Sequence, residues 1–413
     1  MTRALRSTFD NPASIDAATA MPLAGRAFLR LAQGLPHGHL RLRLPDGQVL
    51  SAGDPHHEGP SGELHLRDWR ACAKIMRSGD IGFAEAFAAG WVHSPDLTAL
   101  LRLALANERA IERLIHGSPL ARLWHHLLHR FRANTRRGSV RNIHAHYDIG
   151  NAFYRLWLDD TWTYSAACFD GDAARSLAGA QAAKYQRIID ALGLRAGDQV
   201  LEIGCGWGGF AEHAARLGIR VHGVTISKAQ LEHARQRIET AGLAGCAHLE
   251  FRDYRDLPSL GLQADAIVSI EMFEAVGEAQ WGGYFDVVRR CLRPGGKALI
   301  QTITIDERLF ERYRAGSDFI QQMVFPGGML PSVERFERVA AAHGLALTDI
   351  HRFGRDYAET LRRWRSAFEQ HRAALPALGL DEAFARVWQL YLCYCEAGFD
   401  HGRIDVAQIR LQA

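Results

Sequence analysis

Apolar and polar positions along this 413-residue chain repeat with different periods in different stretches. Residues 24–33 carry the spacing of a short helix. Leu40, Leu42 and Leu44 then alternate with Arg41 and Arg43, the period of a half-buried strand, and Pro45-Asp46-Gly47 supplies a turn. Leu64 and Leu66 flank His65 in a further strand pattern, while 68–76 and 82–89 read as helices. These elements predict a small α+β domain over residues 1–105. From about residue 180 strands and helices alternate: strands at 199–203, 221–225, 249–252, 266–270 and 297–304, a helix starting at 210 and another over 228–240. That alternation predicts an α/β fold with a doubly wound sheet and helical insertions, within a domain spanning 143–413. Residues 362–396 return to a helical period with several aromatic side chains.

The stretch between the two domains, 106–142, has its own character. Residues 102–141 contain nine Arg against two Glu, a net +7. Leu120, Leu123, Trp124, Leu127, Leu128 and Phe131 fall on one face of a helix, with Arg122, Arg130 and Arg132 mostly elsewhere. Two readings fit this basic linker: an interfacial helix touching anionic lipid headgroups, or a helix that docks its apolar face on the next domain.

Composition narrows the class. A hydrophobic fraction of 47% and a charged fraction of 23% are those of an ordinary globular chain and exclude a disordered or collagen-like one. The net charge of +3 gives no case for nucleic acid. Seven cysteines without a CxxC pair indicate reduced thiols, hence a cytoplasmic setting, and no zinc ribbon. No apolar run is long enough to span a bilayer, so membrane contact is expected from the water side. His144 and His146 lack a third ligand, so no metal site is expected.

The chemistry begins at Val200-Leu201-Glu202-Ile203-Gly204-Cys205-Gly206-Trp207-Gly208-Gly209, a strand running into a glycine-rich turn and a helix. Glycine is required where a cofactor approaches the backbone closely or where φ is positive. Gly204, Gly206 and Gly208 depart from dinucleotide spacing. Together with Glu202 they are similar to the loop of class I S-adenosylmethionine (SAM) methyltransferases. Thr225 and Gln230, at the end of the second strand, are the polar candidates for the ribose, although Ser227 equally suits a helix N-cap. Asp253 and Tyr254, after the third strand, suit the adenine.

Further strings converge with these: His146-Tyr147-Asp148-Ile149-Gly150-Asn151, Thr163-Tyr164-Ser165, Phe273-Glu274, Phe325-Pro326-Gly327-Gly328, Leu330-Pro331-Ser332, Phe353-Gly354 and Asp356-Tyr357. The chain resembles the cyclopropane fatty acid synthase family, which includes the mycolic acid methyltransferases. The resemblance runs from about residue 140 to the C-terminus, and more loosely through Gly79-Asp80-Ile81-Gly82 and Glu85-Ala86-Phe87. It implies SAM-dependent methyl transfer to a cis double bond in a phospholipid acyl chain, ring closure after proton loss, and a bound bicarbonate that takes the proton. Carried over, the bicarbonate would be held by Glu274, Tyr357, Gln301 and the backbone of Ala166, with Tyr164 and Ser165 against the cofactor. Three positions depart from the family pattern. Ala166 stands for a cysteine, Ala275 for the histidine after the Phe-Glu pair, and Gln301 for a histidine before Thr302-Ile303. Gln301 still donates a hydrogen bond but carries no charge. These departures bear on proton removal rather than on methyl transfer.

The expected protein is therefore a cytoplasmic enzyme, peripheral at the inner face of the membrane, whose partner is a phospholipid with unsaturated acyl chains. A cyclopropane is the leading product and a methyl-branched or methylene chain the runner-up. Outside the family reading stand a methyltransferase for another lipophilic small molecule and a non-catalytic lipid-binding protein. The family also points to a homodimer through the N-terminal domain.

Overall fold

The structure is a computed structural model that describes residues 21–53, 59–115 and 149–413. Of the basic linker, Glu108–Ile115 forms a helix, while the amphipathic pattern over 120–131 and His144 and His146 lie outside the described residues. The chain divides into two compact units.

The first unit joins the described residues before 129 to Gly316–Met323 and Ala374–His401. Its four-stranded sheet has the order β2-β1-β3-β4, with β1 His39–Arg43, β2 Val49–Gly53, β3 Ser61–Leu66 and β4 Val92–His93. Leu40 and Leu42 are buried while Arg41 and Arg43 face out, as the alternation requires. The two helices expected around Asp80 both appear within Arg70–Ala88, separated by a non-helical break at Gly79, where φ is +57°. Asp96 caps the helix Leu97–Ala106 by accepting from the Ala99 N–H. The late helix Glu382–Asp400 packs against it, with Thr98 donating to Glu396 and Arg102 bridging Glu396 and Asp400.

The second unit is built on a seven-stranded sheet of order β10-β11-β9-β8-β5-β6-β7. The strands are β5 Gln199–Ile203, β6 Arg220–Thr225, β7 Ala247–Phe251, β8 Ala264–Ile270, β9 Leu292–Ile305, β10 Ala346–Arg352 and β11 Ile404–Gln412. From β7 to β9 all neighbours are parallel, and β11 then inserts antiparallel between β9 and β10. The central strands are rich in Val, Leu and Ile because helices cover both faces, with polar residues such as Glu202 and Gln301 among them. On one side Leu177–Leu192, Gly209–Arg216 and Lys228–Thr240 pack on Val200, Val221 and Val268. On the other, Trp281–Cys291 and Val333–Ala342 pack with Phe273 on Ile203, Ile267 and Ile300. The strands expected at 199–203, 221–225, 249–252, 266–270 and 297–304 all appear, within a few residues at their ends. β10 and β11 were not anticipated: β10 shows no clean alternation, and β11 buries Gln408 among its apolar residues.

Candidate functional site

In a parallel sheet, ligands bind beyond the carboxyl ends of the strands, next to the point where strand order reverses. That point lies between β5 and β8. The loop after β5 turns through Gly204, Gly206 and Gly208 with φ of +87°, +53° and +81°, and the Gly204 and Cys205 N–H groups both donate to the Val224 carbonyl. The three glycines differ in role. A Cβ on Gly206 would meet no atom within 4 Å, so this residue alone opens onto free space. One on Gly204 would meet Met272 Cγ at 2.9 Å, and one on Gly208 would meet Ala234 Cβ at 3.1 Å. Packing against Met272 and Ala234 therefore adds its own demand for glycine at 204 and 208.

Glu202, just ahead of this loop, is buried, and its Oε2 has no partner among the described residues. Burial pushes its carboxyl up to about 8, against the pull of Arg237 and Lys184. On β6, Thr225 donates to Gln230 Oε1 (3.3 Å) and accepts from the Ser227 N–H, while Ser227 caps the helix Lys228–Thr240. Asp253 caps the turn Tyr254–Leu260 and is held by Arg255 on both oxygens, and Tyr254 packs edge-on against Tyr284. An open glycine, an orphaned buried carboxylate oxygen and this polar rim fit a nucleoside-bearing cofactor.

The segment 163–170 approaches the same strand ends. Tyr164 stands among Tyr154, Trp157 and Trp364, with ring centroids 5.3–5.6 Å apart. Trp207 joins Tyr154 at 5.0 Å and donates to Asn151 Oδ1 (3.0 Å). Such a group of π faces favours a cation held against it. Ser165 is buried and accepts from Lys184 Nζ at 2.6 Å. Lys184 is wholly buried, and desolvation pulls its ammonium down to about 7 despite the nearby Glu271, Asp159 and Glu202.

Of the four residues expected to hold an anion, the structure brings three together, around a carboxylate that the sequence reading passed over. Glu271 Oε1 accepts from the Ala166 N–H (2.8 Å) and from Gln301 Nε2 (2.8 Å), and Glu271 Oε2 accepts from the Tyr357 hydroxyl (2.7 Å). Gln408 Nε2 donates to Gln301 Oε1 (3.1 Å) and so turns the other end of that amide toward Glu271. Glu271 directly follows β8 with φ +48°, a strained conformation for a non-glycine residue. Burial raises its carboxyl, opposed first by Lys184 and then by the Tyr357, Ala166 and Gln301 hydrogen bonds. Glu274, the expected fourth member, points elsewhere. Its Oε1 accepts from Thr302 Oγ1 (3.0 Å) and the Ile303 N–H, while its buried Oε2 has no partner among the described residues. Burial, reinforced by the Glu271 charge, pushes its carboxyl up to about 8. A second carboxylate at a strand end, three residues before Glu274, was the available signal for Glu271.

The segment 166–170 is pinned to the helix Gly354–His371. Ala167 N–H donates to Thr360, and the Phe169 and Asp170 N–H groups donate to Asp356. Cys168 is buried with its thiol pushed up to about 12, so it carries no nucleophilic thiolate at neutral pH.

Residues 134–409 match the family model for mycolic acid cyclopropane synthetase. The chain belongs to this family. Among its relatives, tuberculostearic acid methyltransferase UfaA1 of Mycobacterium tuberculosis is 39% identical over 400 residues, covering 95% of this chain and 91% of the relative. Cyclopropane-fatty-acyl-phospholipid synthase of Escherichia coli K12 is 33% identical over 343 residues, covering 81% of this chain and 84% of that one. Among solved structures, mycolic acid cyclopropane synthase CmaA1 complexed with SAH and CTAB superposes with a TM-score of 0.61 at 32% identity, over 66% of this chain and 98% of that chain. The fold is that of class I SAM methyltransferases, and the family is one of SAM-dependent lipid methyltransferases and cyclopropane synthases.

Proposed function

We propose that the protein transfers a methyl group from SAM to the cis double bond of an unsaturated phospholipid acyl chain. Family membership supports the reaction class, and the observation that carries the reading to this chain is the pairing of a class I cofactor loop with the Glu271 cluster and an aromatic wall. The open face of Gly206, Glu202 and the Thr225–Gln230 pair would hold the cofactor, with Asp253 and Tyr254 at its base end. When bound, SAM supplies an electrophilic methyl group to an alkene carbon and departs as S-adenosylhomocysteine. Tyr164 and its aromatic neighbours exclude water and face the positive charge. Lys184 fixes Ser165, which keeps the adjacent Ala166 N–H aimed at Glu271. Glu274 ties the end of β8 to β9 through Thr302 and Ile303 and keeps Glu271 and Gln301 in register.

Two products are compatible with this chemistry, and we favour the open chain over the ring. The relative matching 95% of the chain is named a tuberculostearic acid methyltransferase, and Gln301 and Ala275 stand where the ring-forming resemblance has histidines. The immediate open-chain product is a methylene or methyl-substituted alkene, since a saturated branch needs a separate hydride donor. The cyclopropane reading is supported by the Escherichia coli relative. Incubation with labelled SAM and vesicles of monounsaturated phospholipid tests both. Lipid bearing one added CH2 with olefinic proton signals is expected, upfield cyclopropyl signals would select the ring, and unlabelled lipid would refute both.

A further inference from the structure

We propose that the Glu271 carboxylate is built into the position that an exogenous bicarbonate would take, and that it accepts the proton released after methyl addition. This rests on the alkene-methylation reading above. Three donors that the resemblance assigns to a bound anion, the Ala166 N–H, the Gln301 amide and the Tyr357 hydroxyl, already end on the two Glu271 oxygens. A carboxylate offers about four lone-pair sites, and these donors take two on Oε1 and one on Oε2. One site on Oε2 therefore stays open to receive a proton. Bicarbonate would have to displace this arrangement: the Ala166 N–H and the Tyr357 hydroxyl each have one hydrogen to donate, and both hydrogens are already given to Glu271. The positive φ of Glu271 is a conformation kept only where the surroundings demand it.

The step balances without a further reactant. Once an alkene carbon has taken the methyl group, its neighbour is electron-deficient. A C–H bond of the chain or of the new methyl breaks, and its electron pair forms the new C=C or C–C bond. The proton goes to Glu271 Oε2, the carboxylate becomes a neutral acid, and loss of that proton to water after product release restores it. Lys184, Tyr357, the Ala166 N–H and Gln301 favour the ionised carboxylate that the step requires, opposing the burial that favours its acid form.

The test combines turnover with an anion-binding measurement that needs no turnover. Titration of 13C-bicarbonate into the wild-type complex with S-adenosylhomocysteine should show no saturable binding, whereas Glu271→Gly should bind it. Glycine adopts the φ at residue 271 without strain, so this variant is expected to fold. Wild-type turnover should be unchanged in degassed, bicarbonate-free buffer. Glu271→Gln should lose about 100-fold or more in kcat with S-adenosylhomocysteine affinity retained, and bicarbonate or formate should restore part of the activity of Glu271→Gly. Saturable bicarbonate binding by the wild type, a loss of its turnover on degassing, or normal turnover of Glu271→Gln would overturn the proposal. If the wild type methylates no unsaturated lipid, the methylation reading fails and proton acceptance by Glu271 falls with it, while the binding titration still decides whether Glu271 excludes the anion.

Discussion

Burial, Lys184, Tyr357 and the Ala166 N–H act most strongly on the Glu271 carboxyl, and the Gln301 amide adds a further pull towards its ionised form. Gln301 donates to Glu271 and is itself oriented by Gln408, so the pair stabilises the ionised carboxylate. Gln301→Leu removes one donor from a carboxyl that burial already raises, and the folded-state pKa climbs further. Because the ionised form is the acceptor, the acid limb of the kcat profile is expected to move to higher pH, with little change at the alkaline plateau. Gln408→Leu should move it the same way by less. An unmoved limb in both variants would remove Glu271 from the proton path. Glu274 makes the complementary case for stability. Its carboxyl, raised to about 8, stays protonated in the fold where the unfolded chain has ionised from its ordinary value of 4.5. The folded state binds the extra proton, so the contribution is complete below about pH 4.5 and is lost as pH rises through about 8. Glu274→Gln should flatten that part of the decline, so that melting temperature falls less between pH 5 and pH 8 than in the wild type.

At the scale of elements, the glycine loop offers open space at Gly206 and close packing at Gly204 and Gly208. Gly206→Val projects its side chain into open space and is expected to cost roughly 100-fold or more in SAM affinity by displacing the cofactor. Gly204→Ala strikes Met272 and forces a positive φ on a residue with a Cβ, so about 1–2 kcal/mol of stability should be lost first. Calorimetric titration and thermal melting on both variants check the assignment, and a reversed pattern would exchange the two roles. The strand, turn and helix from Val200 to Gly209 were legible because the glycines, the apolar run and the following helix are contiguous. Lys228–Thr240 was legible for the same reason. Glu271 was not, since its donors lie 105, 30 and 86 residues away in sequence and meet it only through β9, the 163–170 segment and the helix Gly354–His371. Lys184 was hidden by its type: a lysine in a helix reads as solvated, and only the fold reveals that it is buried on Ser165. β11 escaped because strands covered on both faces lose the alternation that marks a half-buried one.

At the scale of the molecule, the chain returns twice to its first unit, through Gly316–Met323 and Ala374–His401, a closure that no local pattern announces. No helix among the described residues is long and apolar enough to cross a membrane. A protein acting on an acyl double bond must still reach a substrate that lies within a lipid aggregate, and the sequence places its basic charge near residues 119–137, outside the described residues. Anionic surfaces attract basic segments by about 1 kcal/mol per Lys or Arg, a term that falls off within a Debye length and is screened by salt. Four such charges amount to roughly 4 kcal/mol at low salt, about three orders of magnitude in affinity. Binding to vesicles containing anionic phospholipid should therefore weaken as salt rises, and should weaken further when Arg130, Arg132, Arg136 and Arg137 are changed to Gln. Neutral vesicles separate the apolar face from the charge, because binding through Leu123, Trp124, Leu127 and Phe131 alone would persist there and ignore salt. If co-sedimentation with anionic vesicles is salt-independent and unchanged in the four-Arg variant, this stretch covers a protein surface instead, and the enzyme meets its lipid elsewhere.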